Sequence, residues 1–351
     1  MANVTDEIVK TPSVVPGVHR GRLEWARSAL ARFGGVTLAV VIVGAYFQIK
    51  TSGALLTGSN IETIIRGLST IAIMGFGLTA VIIAAEIDLS FAAVYGLSTN
   101  IVAVLWLTHG WSVYVAILVA LLAAVVVGAF NAFFTAVVKI PSFIATLGSS
   151  TLVFGLTLWV GQTQNISYQF PPIGKPPASK GDVSFFSHLG AASLPGNFPE
   201  QGLWTAGLLI VFWFLLSRTL FGFRLKAIGG SRAAAEVVRL PVKKYIFFAF
   251  ILCALTACIA GLLDFSFVAT ASPNDGQAYL FPVFAAVIIG GASLAGGKGG
   301  AIGTVTGALL LAVLNNGFAL IAAGPFAQQV FLGTVTIGAV VIDRFTSIRR
   351  T

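Results

Sequence analysis

The sequence predicts an all-α polytopic membrane protein, and three observations predict it. Apolar residues make up 57% of the chain and charged residues 9%, whereas an ordinary soluble domain is about a quarter charged. Apolar runs recur along the chain at the length of a spanning helix, which needs about 20 residues. Lys and Arg gather in alternate connections between those runs, as expected when positive loops resist translocation.

The elements follow in order. Residues 1–35 are polar and mixed in charge, with Pro12 and Pro16. They read as a cytoplasmic tail leading into the first span, without the short apolar core and cleavage site of a signal peptide. Ten spans are expected, near 36–49, 61–84, 89–107, 112–138, 142–161, 203–217, 245–268, 279–294, 300–323 and 326–342. They form one membrane domain, 36–344, followed by a short tail, 345–351. A long polar segment, 162–202, interrupts it once, and a basic one, 218–244, a second time.

Charge sets the orientation. With the N-terminus inside, ten spans return the C-terminus inside. The inner side then holds Lys10, Arg20, Arg22, Arg27 and Arg32; Lys139; the seven Lys/Arg of 218–244; Lys298; and Arg344, Arg349 and Arg350, which is 17 of the chain's 21. The outer segment 162–202 keeps only Lys175 and Lys180, balanced by Asp182 and Glu200. Both termini are therefore expected in the cytoplasm, and 162–202 outside. The net charge of +9 is a signature of topology, and no aromatic-interleaved basic groove suggests nucleic acid.

Polar residues inside apolar runs carry the functional signal. Glu86 and Asp88 follow the span ending near residue 84. A carboxylate at mid-membrane costs about 2.5–3.5 kcal/mol on insertion scales, so it faces a cavity or a partner. Asp88-Leu89-Ser90 reads either as a polar lining of a path or as the cap of the next helix, Asp being a favoured N-cap. Asn131, Thr146, Asn315 and Asn316 offer paired donors and acceptors, for a ligand or for a neighbouring helix. One such clamp is Asn315-Asn316 against Gln328-Gln329. Gly299, Gly303 and Gly307 repeat every four residues, a spacing that lets helices approach closely. Cys253 and Cys258 share one apolar run and read as packing residues.

Ala80-Val81-Ile82-Ile83 recurs 206 residues later as Ala286-Val287-Ile288-Ile289, each copy running into a polar break. Gly128–Ala132 and Gly307–Asn316 echo more weakly. With ten spans the two halves run parallel. Interrupted spans at matching positions point to a transport site at the repeat interface, because irregular backbone at membrane depth must line protein or water.

Within 218–244, Arg232–Val238 reads as a short Ala-rich helix entered through Gly229-Gly230. It is either a plain positive loop or a handle for a soluble partner. The run F-G-F-R-L-K-A-I-G-G-S-R-A-A-A-E resembles the cytoplasmic coupling segment of ribose-type permeases of bacterial ABC importers. A-E-I-D-L-S (85–90), K-I-P-S-F-I-A-T-L-G (139–148) and V-I-I-G-G-A-S-L-A-G-G-K-G-G (287–300, continuing to Phe318) resemble the same family. The likeness covers roughly Ile61 to Arg344. It departs at Ala85-Glu86, where the family usually has Gly-Gly, and at Val238-Arg239-Leu240, where it usually has Ser-Gly-Ile.

The resemblance implies an inner-membrane permease subunit that imports a monosaccharide: a pentose, hexose or polyol. Its partners would be a cytoplasmic ABC ATP-binding subunit, a periplasmic sugar-binding protein and a second permease subunit, identical or related, in membrane lipid. The ATPase-coupling residues would be Gly222, Gly229, Gly230, Arg232, Ala233, Ala234, Ala235 and Arg239. The substrate path would involve Glu86, Asp88, Ser90, Asn131, Thr146, Asn315 and Asn316. A permease of the same fold for nucleosides or branched-chain amino acids, and a proton-coupled secondary transporter using Glu86 or Asp88, are the alternatives.

The chain itself is not expected to be an enzyme. A-S-L-A-G-G-K-G-G is not a phosphate loop, because Ala292 stands five before Gly297 and Gly299 follows Lys298. No catalytic triad or metal set is legible. No cofactor is expected in this chain, and ATP would be used by the partner.

Overall fold

A computed structural model describes residues 22–348 except 171, 176 and 195–197. Thirteen helices are described: α1 (Arg22–Lys50), α2 (Gly58–Ile83), α3 (Phe91–Ala103), α4 (Val113–Ala132), α5 (Ser142–Gly161), α6 (Lys180–Ser187), α7 (Glu200–Arg218), α8 (Leu220–Gly230), α9 (Arg232–Val237), α10 (Val242–Val268), α11 (Leu280–Ile289), α12 (Ala301–Leu320) and α13 (Pro325–Ile348). Single π-helical stretches, Val104–Thr108 and Phe133–Val137, extend α3 and α4. Among the described residues there are four two-residue strands: β1 (Ile166–Ser167), β2 (Ser193–Leu194), β3 (Phe198–Pro199) and β4 (Thr270–Ala271).

Seven helices among the described residues are long and apolar enough to cross a membrane: α2, α3 and α4 with their extensions, α5, α7, α10 and α12. Their apolarity fits them to span, because a helix satisfies its backbone groups within its own segment, without water. Burial sorts centre from rim. The apolar window of α2 is 83% buried and that of α5 only 22%. The rim helices turn Leu118, Leu122, Ile144, Leu152, Ile210 and Phe214 outward, a face suited to lipid.

The centre is α2 packed on α10 and α12. Small residues allow it. A Cβ on Gly77 would fall 2.5 Å from the Cys253 Cα, and one on Gly128 would fall 2.8 Å from the Ile251 Cα. These glycines bring α2 and α4 onto the backbone of α10. Thr79 and Thr304 join α2 to α12 by a hydroxyl hydrogen bond of 2.6 Å. Gly303 and Gly307 make the expected close approach: Cβ atoms on Gly290 and Gly307 would meet the Gly303 and Ala286 carbonyls. Gly299 does not belong to that face. It precedes the helix at φ +147, in the turn that aims α12.

The polar segment 162–202 is more than a bare loop. β1 pairs antiparallel with β4, and β2 with β3, while α6 packs Phe186 into the core. α1 begins at Arg22, and α13 runs to Ile348. Residues 1–21 and 349–351 lie outside the described residues.

Candidate functional site

Both matched interruptions fall where expected: α2 stops at Ile83 and α11 at Ile289. The structure brings the two breaks together. The Gly297 N–H donates to the Ile83 carbonyl at 2.9 Å, so α2 and α11 end side by side. They are unequal copies, 26 residues against 10. The second break turns through Gly291, Gly296, Gly297 and Gly299, all at positive φ, which glycine adopts without steric cost.

The basic segment closes over this junction. It holds two helices, α8 and α9, where the sequence suggested one. α9 matches the Ala-rich helix expected at 232–238. The bend falls at Ser231, extended at φ −161, whose hydroxyl caps α9 by accepting from the Ala234 N–H at 3.3 Å. Gly229 and Gly230 lie in the last turn of α8. Gly229 is there for space: a Cβ would sit 1.8 Å from the Ile83 carbonyl oxygen and 2.7 Å from the Gly297 nitrogen. At the other end, Gly222 lets α8 fold back on the Leu216 backbone. Arg239, at φ +57, ends the segment, with its N–H donating to the Glu236 carbonyl.

The alanines do not form one outward face. Ala235 is buried against the bundle, while Ala233 and Ala234 are exposed. Val237 and Val238, 82% and 67% exposed, complete the outward apolar surface. Helical geometry makes the difference, since three successive residues span most of a turn.

The expected path residues divide into two places. Glu86, Asp88, Ser90, Asn131 and Thr146 converge at the turn 84–90. Asp88 Oδ1 accepts from the Ser90 N–H at 2.8 Å and from the Ser90 hydroxyl at 2.7 Å. Asn131 Nδ2 donates to the Ser90 hydroxyl oxygen at 2.7 Å, tying in α4. The Ile87 N–H donates to Ser142 Oγ at 3.0 Å, and Thr146 Oγ1 donates to the Ile87 carbonyl at 3.2 Å, tying in α5. Ser90, not Asp88, occupies the N-cap position of α3. Asp88 acts one step earlier, bracing the turn.

Glu86 turns toward the basic segment. It accepts from Arg232 Nη1 at 2.8 Å. Burial pushes its carboxyl up from the ordinary 4.5, and the Ser142 hydroxyl and Arg232 pull it partly back. A cleft of about 450 Å³ opens beside this pair, lined among others by Thr135, Lys139, Ser142 and Lys243. Asn315 and Asn316 lie elsewhere. Asn316 Nδ2 donates to Asn60 Oδ1 at 3.4 Å, at the far end of α2, and Gln328 donates to the Ala323 carbonyl. The expected clamp to Gln328-Gln329 is replaced by one to Asn60. About 23 residues of helix separate Asn60 from the turn, roughly 35 Å.

Sequence reasoning missed a second polar cluster. Asp264, near the end of α10, accepts from the hydroxyls of Tyr95 and Tyr279. Arg66 lies nearby on α2, stacked 4.0 Å over the Phe267 ring. Asp264 is the only charged residue of the run 245–268, so the signal was legible. A carboxylate in an apolar run is costly and faces a partner or a cavity; here the partners are the two tyrosine hydroxyls.

The whole chain has relatives. A family model described as "Branched-chain amino acid transport system / permease component" matches residues 60–340. A probable ABC transporter permease protein of Sinorhizobium fredii is 33% identical, covering 99% of both chains. The xylose transport system permease protein of Escherichia coli K12 is 29% identical over 89% of this chain and 91% of its own. The ribose import permease protein of the same organism is 31% identical over 82% and 86%.

Proposed function

The chain belongs to the family of branched-chain amino acid transport system permease components, and on that premise we propose that it is the membrane permease subunit of an ATP-driven importer for a monosaccharide. The observation that carries the substrate class is its likeness, over more than four fifths of each chain, to permeases named for xylose and ribose. The resemblance read from 85–90, 139–148 and 287–300 leads to the same class.

The finer reading is as follows. α1, α11 with its leading turn, and α13 complete ten membrane segments in the bacterial inner membrane, with both termini cytoplasmic. The end where the two breaks meet α8 and α9 is then the cytoplasmic end, as its Lys and Arg favour. No phosphate loop is legible in the sequence, so ATP hydrolysis belongs to a separate subunit. That subunit docks on α9 by helix-in-groove recognition, through Ala233, Ala234, Val237 and Val238. A periplasmic binding protein delivers the sugar, and a second permease subunit completes the path. The turn 84–90, with Asp88, Ser90, Asn131 and Thr146, lines the path near its inner end.

The test is reconstitution with the ATP-binding protein of the same transport system and a binding protein in proteoliposomes. Labelled pentoses, hexoses and polyols, together with leucine and a nucleoside, are offered in parallel. ATP-dependent uptake of one sugar is expected. Uptake of leucine or the nucleoside alone would replace the substrate class, and uptake driven by a proton gradient without ATP would refute the importer reading. Ala234→Trp overfills the docking groove. It is expected to abolish ATPase co-purification and leave the amount of permease in the membrane unchanged.

A further inference from the structure

The turn 84–90 is tied to four elements by named polar contacts. Ser90 reaches Asn131 of α4, and Ile87 is held through Ser142 and Thr146 of α5. Asp88 braces α3 through Ser90, and Glu86 reaches Arg232 of α9. The last contact differs from the others. Glu86 is 6% exposed, whereas the Arg232 side chain is 45% exposed. The pair therefore runs from the inside of the bundle to its outer surface. Beside it lies the cleft of about 450 Å³, so on this side the ion pair borders open space. α8, in contrast, packs closely at Gly229 on the backbone of Ile83, at the end of α2, and of Gly297.

We propose that the Glu86–Arg232 ion pair is a transmission link, through which displacement of α9 by a docked ATPase moves the turn 84–90 and, with it, α4 and α5. The inference rests on the reading of α9 as the docking helix. Glu86 and Arg232 are positioning residues in it. The anchor lies within the hydrogen-bonded turn, so a pull on Arg232 acts on Ile87, Asp88 and Ser90 together. The cleft gives α9 room to move, and a charge pair tolerates sliding better than close packing does. Glu236, one turn along α9 and 4.0 Å from Arg232, offers the guanidinium an alternative partner when the link to Glu86 opens.

The experiment compares Glu86→Gln, Arg232→Gln and the charge-exchanged double variant Glu86→Arg/Arg232→Glu in proteoliposomes with the ATPase. The readout is sugar imported per ATP hydrolysed, which removes any difference in the amount of ATPase bound. Each single variant is expected to lower this ratio by about tenfold, within the usual range of coupling between sites. The exchange is expected to restore it to within about threefold of wild type, since only an interacting pair gives such non-additivity. A purely structural role would lower both activities and leave the ratio unchanged. An unchanged ratio in Arg232→Gln, or an exchanged variant no better than the singles, overturns the proposal. Arg232→Gln stands as the test should a Glu86 variant fail to insert, because the Arg232 side chain is partly solvent-exposed. Failure of the wild-type chain to hold its ATPase would instead refute the docking reading itself.

Discussion

Gly229 and Gly230 are neighbours with opposite expectations, which makes them a sharp test of the junction between α8 and the two breaks. A methyl group at Gly229 would meet the Ile83 carbonyl oxygen at 1.8 Å and the Gly297 nitrogen at 2.7 Å. Both are backbone atoms and cannot swing aside as a side-chain tip would. Gly229→Ala must therefore push α8 off the junction or break the Gly297–Ile83 hydrogen bond. The lost bond costs about 1–3 kcal/mol, and overpacking about 1–3 kcal/mol. The better helix propensity of Ala returns up to about 1 kcal/mol. A net loss of about 3 kcal/mol, set against an unfolding entropy of about 2.1 cal/mol/K per residue over 351 residues, lowers the melting temperature by roughly 4 °C. At Gly230 a Cβ meets nothing within 4 Å, so Gly230→Ala is expected to be neutral or stabilising by up to about 1 kcal/mol. Thermal unfolding of the detergent-solubilised permease reads both variants side by side. A Gly229→Ala protein that melts with the wild type, or two variants equally destabilised, would refute the close approach.

Other predictions concern topology and the polar clusters. In a background lacking Cys253 and Cys258, Ser179→Cys should react with an impermeant thiol reagent added to intact cells, and Ser231→Cys should not. Labelling at 231 would invert the orientation. Asp88→Ala removes the acceptor of two hydrogen bonds from Ser90 and should destabilise by about 2–3 kcal/mol. Asp88→Asn keeps that acceptor and should fold and transport, so a folded but inactive Asn variant would show that the charge is required. Asp264→Ala leaves the Tyr95 and Tyr279 hydroxyls without their acceptor and should cost about 2–4 kcal/mol in the same melting assay. A wild-type melting curve would mean that the cluster does not hold α3 and α10 together.

Composition, span lengths and charge asymmetry were enough to read a helical membrane protein with a basic segment at one end, because lipid leaves the backbone few alternatives. The two polar breaks were legible for the same reason: Glu86, Asp88 and the glycine run are out of place in apolar sequence. Asp264 is equally legible, as the only charged residue of the run 245–268, but it has no counterpart at a matched position of the repeat. Several things lay beyond the sequence. Nothing local indicates that the break after Ile83 touches Gly297, over 200 residues away, or that Gly229 must be small because two other backbones meet there. Nor does spacing tell that Glu86 faces Arg232, or that Asn316 reaches Asn60 and not Gln328. Hydropathy decides whether a segment enters the membrane one segment at a time. Which polar groups find one another depends on how the helices pack, and packing is a property of the whole bundle.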